Sequence, residues 1–193
     1  MNETVQKNAP VPQRFNTKVG MWTFLGGEVV FFGSLIATYM LFRLRSPAEF
    51  AAAKTHLSIP LIAVNTFILI FSSYLVVKAL ESIQEGNQKR LRNNLIFVSI
   101  LGLLFISGQA YEWSTLFKAG ESAASALGTP FFTVTGIHGI HVFIGVIWSI
   151  YLQLGIRKGA YTQKRHQGIE NFGLYWHFVD IVWIVLFTLF YLI

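Results

Sequence analysis

Residues 175–193 read YWHFVDIVWIVLFTLFYLI. With the two residues before it, Gly173 and Leu174, the run reaches the length of about 20 residues that a helix needs to cross a hydrocarbon core of about 30 Å. A spanning segment must satisfy its own backbone groups, which leaves helices and closed barrels. The run is continuously apolar rather than alternating, so it reads as a helix. Yet it carries His177 and Asp180, whose i, i+3 spacing puts them on one face. A membrane helix with a titratable face is the pattern to explain.

Working back toward the N-terminus, four more apolar blocks appear, at about 20–43, 57–79, 93–117 and 130–156, with the last at 173–193. Each is long enough to span. The fold class is therefore all-α, a polytopic bundle of five transmembrane helices over residues 19–193, preceded by a polar tail over 1–18. Charged residues make up 12% of the chain and hydrophobic ones 53%, against roughly 25% charged in an ordinary soluble domain. The first block is longer than a signal-peptide core of about 7–15 residues, so it is expected to stay as a helix. No cysteine is present, which excludes disulfides and thiolate chemistry.

The net charge of +6 does not indicate nucleic acid, because the basic residues lie in the gaps between apolar blocks. Eleven of the fifteen fall in the tail, the 79–92 region and the 157–172 loop, or at their edges. That bias predicts a cytoplasmic N-terminus and an outer C-terminus. Trp22 and Trp176 are then expected at the inner interface and Trp113 at the outer one.

At about 1.5 Å per residue, Glu28, Asp180, His138 and His141 all come near the midplane. His177 lies one turn nearer the cytoplasm, and Glu112 near the outer headgroups. An ionised carboxylate at the bilayer centre costs at least about 2.5–3.5 kcal/mol, so such groups face the bundle interior or find partners. Four readings compete. His138 and His141 share a helix face and, with Glu28 or Asp180, offer metal or haem ligands. The same groups could relay protons. They could pair with each other and set helix register, His177 with Asp180 above all. They could also meet another subunit or a lipid headgroup. Glycines at 26, 27, 33, 102, 108, 136, 139 and 145 are expected to let helices approach closely.

Five motifs in chain order resemble subunit III of the haem-copper respiratory oxidases. They are GMWTFLGGEVVFFG around Glu28, NTFILIFSSYLV from Asn65, GQAYEW with Gln109 and Glu112, FFTVTGIHGIHVFIGVIW with His138 and His141, and YWHFVDIVW with Trp176, His177, Asp180 and Trp183. Gly168 and Glu170 also fit, and the resemblance spans about residues 19–193. It implies a non-catalytic integral subunit of a cytochrome c oxidase-like complex in a bacterial cytoplasmic membrane, serving aerobic electron transport, dioxygen reduction and proton pumping. Haem and copper are then expected in partner subunits, with none bound by this chain. Subunit I is the expected main contact, with subunit II and small subunits as further partners and phospholipid as a ligand.

On this resemblance Glu28 is the proton-related residue on the subunit I side. His138, His141, His177 and Asp180 form a mainly structural polar layer, and Trp22, Trp176 and Glu112 are candidate lipid or interface residues. Longer family members carry two further helices before the matched region, and their lipid cleft lies between that pair and the other five. An accessory subunit of a quinol oxidase or nitric oxide reductase is the alternative. An autonomous proton channel is the alternative from a different class.

Overall fold

The computed structural model describes residues 13–54, 57–120, 122–125 and 127–193. Five helices in it are long and apolar enough to span a membrane. They are α1 (Gln13–Arg45), α3 (Ile59–Gln84), α4 (Gln88–Lys118), α5 (Gly128–Arg157) and α6 (Gln167–Phe187), the last prolonged by a π-helical turn over Thr188–Leu192. A short helix, α2 (Pro47–Lys54), follows α1. Among the described residues there is no strand beyond one isolated antiparallel bridge, Thr162 to Arg165.

Local chemistry explains where these helices start and stop. Ser46 precedes Pro47, and a residue before proline is pushed out of the helical region, so α1 breaks there and α2 begins on the proline. Pro60 sits in the first turn of α3, where a missing N–H costs nothing. The α3–α4 turn uses Gly86 at φ 79°. Gly86 N–H donates to Ile83 O and Asn87 N–H to Ser82 O, which closes the end of α3 as a Schellman turn. Asn87 then caps α4 by accepting from Arg90 N–H at 3.0 Å. Gly159 closes α5 with the same pair of bonds, to Ile156 O and Gly155 O.

The helices run longer than the apolar blocks. Of the tail expected over 1–18, residues 1–12 lie outside the described part, and the chain is helical from Gln13. At 33 residues, α1 is about 50 Å long and overruns the hydrocarbon core, so its ends are polar and hydropathy does not mark them.

Helices α3, α4, α5 and α6 pack as a ring of four, and α1 leans on α5 and α6 from outside. In α6, 50% of the most apolar stretch is buried inside the chain, against 17% in α1. Lys18 on α1 pairs with Glu170 on α6 at 3.0 Å, and at the other end the Arg43 guanidinium donates to Ile193 O at 2.6 Å. Start meets start and end meets end, so α1 and α6 run parallel, as the first and fifth of five crossings must.

The centre is aromatic. Trp176 and Trp183 of α6, Phe105 of α4 and Phe131 of α5 are fully enclosed. Trp176 Nε1–H donates to Ser72 Oγ and Trp183 Nε1–H to Thr66 Oγ1, both at 2.9 Å, which fastens α6 to α3 by two indoles. Trp176 is thus a core residue rather than the interfacial one expected, because its indole N–H is satisfied by a serine on the next helix. Trp22 is 62% exposed on α1.

The glycines divide into two sets. A methyl group on Gly145 would lie 2.6 Å from Trp176, and one on Gly102 would lie 2.7 Å from Val146, so close approach requires glycine at both. Gly26, Gly27, Gly33 and Gly139 have nothing within 4 Å of that position. They do not serve packing inside this chain. The outer surface carries large apolar residues such as Val30, Phe67, Ile140 and Ile181, as a lipid- or partner-facing surface does.

Candidate functional site

The polar groups of the spans form separate clusters rather than one layer. The first joins α1 to α5. Glu28 Oε2 lies 3.3 Å from His141 Nε2, with both side chains largely shielded. The other ring nitrogen, Nδ1, is 2.8 Å from Ile137 O on its own helix. A carbonyl only accepts, so Nδ1 carries a hydrogen, and Nε2 is left to face the carboxyl. The two approach within ion-pair distance but are not aligned as a hydrogen bond, because Glu28 Oε2 is buried without a hydrogen-bond partner. The Phe32 ring stands edge-on to the imidazole at 5.0 Å, and Tyr175 O–H donates to His141 O at 2.9 Å. These neighbours fix the ring at the point where α1 meets the bundle.

His138, one turn earlier on the same helix, is 0% exposed and has no hydrogen-bond partner at either ring nitrogen. Its ring stacks on Trp183 at 5.0 Å, with Phe105 and Phe32 at its edges. It belongs to the aromatic core, and the expected pairing of the two histidines as one polar face does not form.

The pairing expected between His177 and Asp180 is also absent. His177 Nδ1 contacts Ser73 Oγ on α3 at 2.5 Å, and both carboxyl oxygens of Asp180 are buried without a hydrogen-bond partner, although Ser73 is close by. The i, i+3 spacing puts the two on one side of α6, but α3 supplies a nearer partner for the histidine.

Glu112, expected near the outer headgroups, is 1% exposed and faces the bundle interior. Tyr191 O–H donates to Glu112 Oε2 at 2.5 Å, and Gln109 Nε2 donates to the same oxygen at 3.4 Å. Tyr191 lies in the π-helical turn at 188–192, where it and Phe190 are both buried. Tyr191 escaped sequence reading because a tyrosine near a helix end reads as a belt residue.

A further cluster between α4 and α5 also escaped it. Ser99 Oγ donates to Ser149 Oγ at 3.1 Å, and Gln153 Nε2 donates to Leu95 O and Ser99 Oγ at 3.1 and 3.0 Å. The four-residue step from Ser149 to Gln153, with Ser99 on the neighbouring helix, is the available signal, polar groups returning on one helix face.

Among the described residues no group of three or more His, Asp or Glu side chains is arranged to hold a metal ion. The arrangement offers one carboxyl–imidazole contact where α1 meets α5, one buried acid beside a groove, and hydrogen-bonded clusters that fasten helices together.

Residues 4–193 match the family described as cytochrome c oxidase subunit III. The chain is 33% identical over 181 residues to a Staphylococcus aureus (strain USA300) protein named "Probable quinol oxidase subunit 3", covering 91% of this chain and 88% of that one. It is also 33% identical over 180 residues to the cytochrome c oxidase subunit 3 of Thermostichus vulcanus, covering 91% and 86%.

Proposed function

The chain belongs to the cytochrome c oxidase subunit III family, and from that premise we propose that it sustains proton uptake by the catalytic subunit of its complex through Glu28 and His141. As subunit III of a haem-copper oxidase it is an integral membrane protein that associates with other oxidase subunits. The observation that carries the proposal is the approach of the Glu28 carboxyl to the His141 imidazole, 3.3 Å apart where α1 meets the bundle. A group that gives and takes a proton at that depth suits a role beside a proton-entry route in a neighbouring subunit.

On this reading subunit I is the main partner, lying on the α1 side, with subunit II and small subunits beyond it. Haem and copper reside in those partners, and phospholipid fills apolar grooves. The N-terminus lies in the cytoplasm of a bacterial cell and the C-terminus outside, in keeping with the basic residues and with the parallel α1 and α6. The test is Glu28→Gln in the intact oxidase. Assembly and initial turnover stay near wild type, and activity decays several-fold faster during prolonged turnover. An unchanged decay removes Glu28 from proton uptake.

The quinol-oxidase reading is favoured by the name of the Staphylococcus aureus relative. Purified complex assayed with a quinol and with reduced cytochrome c distinguishes the two donors, and its reduced-minus-oxidised spectrum gives the haem type.

A further inference from the structure

The α3–α6 face has a groove of about 280 Å³ lined by Ile70, Ser73, His177, Asp180, Ile181 and Ile184. Its rim is apolar and exposed, with Ile181 61% exposed. Its floor is polar. Asp180 is 4% exposed, and neither carboxyl oxygen has a partner. Ser73 Oγ contacts His177 Nδ1 at 2.5 Å and also lies close to Asp180, and the imidazole is only partly buried.

Depth decides what can reach this floor. Ser73 and Asp180 lie near the middle of two 26-residue spans, with about 16–21 Å of helix on either side. A lipid headgroup stays at the interface, and acyl chains carry no hydrogen-bond donor. The acid is thus in the part of the bilayer where an unmatched polar group is most costly, and where donors come from protein.

We propose that this groove seats a transmembrane helix of another subunit of the oxidase, which places a hydrogen-bond donor at mid-membrane depth against Asp180. The inference rests on membership of a multi-subunit oxidase. The donor is a hydroxyl, indole, amide or cationic side chain, and flanking apolar residues of the same helix cover Ile70, Ile181 and Ile184. The partly buried His177 imidazole offers a second contact to the same partner. This surface is distinct from the α1 side assigned to proton uptake.

The chain has no cysteine, so Ile181→Cys creates a unique attachment point in it for a photoactivatable, cleavable cross-linker. The reaction is run on the whole complex in its native membrane, and the captured peptide is identified by mass spectrometry. The expected product joins Cys at 181 to a membrane span of a different oxidase subunit, within a turn of a donor side chain. Combining Ile181→Cys with Asp180→Leu lowers the yield several-fold, whereas Asp180→Asn, which still accepts a hydrogen bond, keeps most of it. Adducts with lipid alone, adducts with a second copy of this chain, or a yield indifferent to Asp180→Leu each overturn the proposal. Should the leucine variant fail to accumulate, the identity of the peptide captured by Ile181→Cys alone decides. If the oxidase co-purifies with its spectrum but no subunit is captured, the groove assignment falls and the subunit III reading stands. If no haem-bearing subunit co-purifies, both fall.

Discussion

At the scale of the residue, the proposed function makes Glu28 and His141 one unit through their 3.3 Å contact. Removing either breaks the contact, and removing both removes nothing more. Glu28→Gln and His141→Gln should therefore shorten the active lifetime of the complex by similar factors, and the double variant by no more than either. Residues in contact show this non-additivity, while independent sites add. Strictly additive effects measured in prolonged turnover would dissolve the pair. Glu112 behaves differently, as a buried acceptor that depends on its donor. Tyr191→Phe leaves Glu112 without its shortest hydrogen bond while Gln109 still reaches the same oxygen, a loss of about 0.5–1.5 kcal/mol for one hydrogen bond. Thermal unfolding of the purified subunit or complex in mild detergent reads it. The polar residue types were legible in the sequence. Their partners were not, since a partner depends on which helix lies alongside. His177 takes Ser73 from α3 in preference to its own-helix neighbour Asp180, and no spacing within α6 announces that.

At the scale of the element, five apolar blocks foretold five spanning helices, because a bilayer imposes a length on any segment that crosses it. The short α2 and the polar extensions of α1 were not foretold, since they answer to proline placement and backbone capping rather than hydropathy. Facing was also hidden. A segment that is apolar all round gives little sign of which side turns inward, so Trp176 and Trp22 read alike yet one is enclosed and the other exposed. The same holds for glycine. Gly145→Ala forces a methyl group to 2.6 Å from the Trp176 ring and should cost about 1–3 kcal/mol by overpacking. Gly26→Ala meets nothing within 4 Å and should leave the stability of the isolated chain unchanged. Melting both variants in the same detergent tests the division. A loss at Gly26 in the isolated chain would show that α1 packs more deeply than described.

At the scale of the whole molecule, four helices make the body and α1 is an outer stave, held by a narrow buried stripe that includes Leu25, Phe32 and Tyr39 and by polar contacts near its ends. The Lys18–Glu170 pair is half exposed, and such pairs contribute only about 0–1 kcal/mol. The Arg43 contacts to Leu189 O and Ile193 O complete the attachment. Stability should therefore be uneven along the chain. In detergent-solubilised subunit, hydrogen exchange should be fastest in α1 among the spanning helices and slowest in α6, and Arg43→Ala should speed exchange in α1 with little change in α3 or α4. Equal protection of α1 and α6 would contradict this hierarchy.

The position of α1 also bears on how the protein is made. Its seat is built from α5 and α6, and the contact of Arg43 with Leu189 closes a separation of 146 residues. Synthesis proceeds from the N-terminus, so of these five helices α1 is made before the two that seat it and is the last to find its place. Until α5 has been inserted, α1 waits in the bilayer with Glu28 facing no histidine of its own chain. Ribosome-bound intermediates that stop before α5 would thus present an unmatched acid to the insertion machinery and to membrane proteases. Quality control could read that acid as the mark of an unfinished subunit, and arrival of α5 would erase the mark.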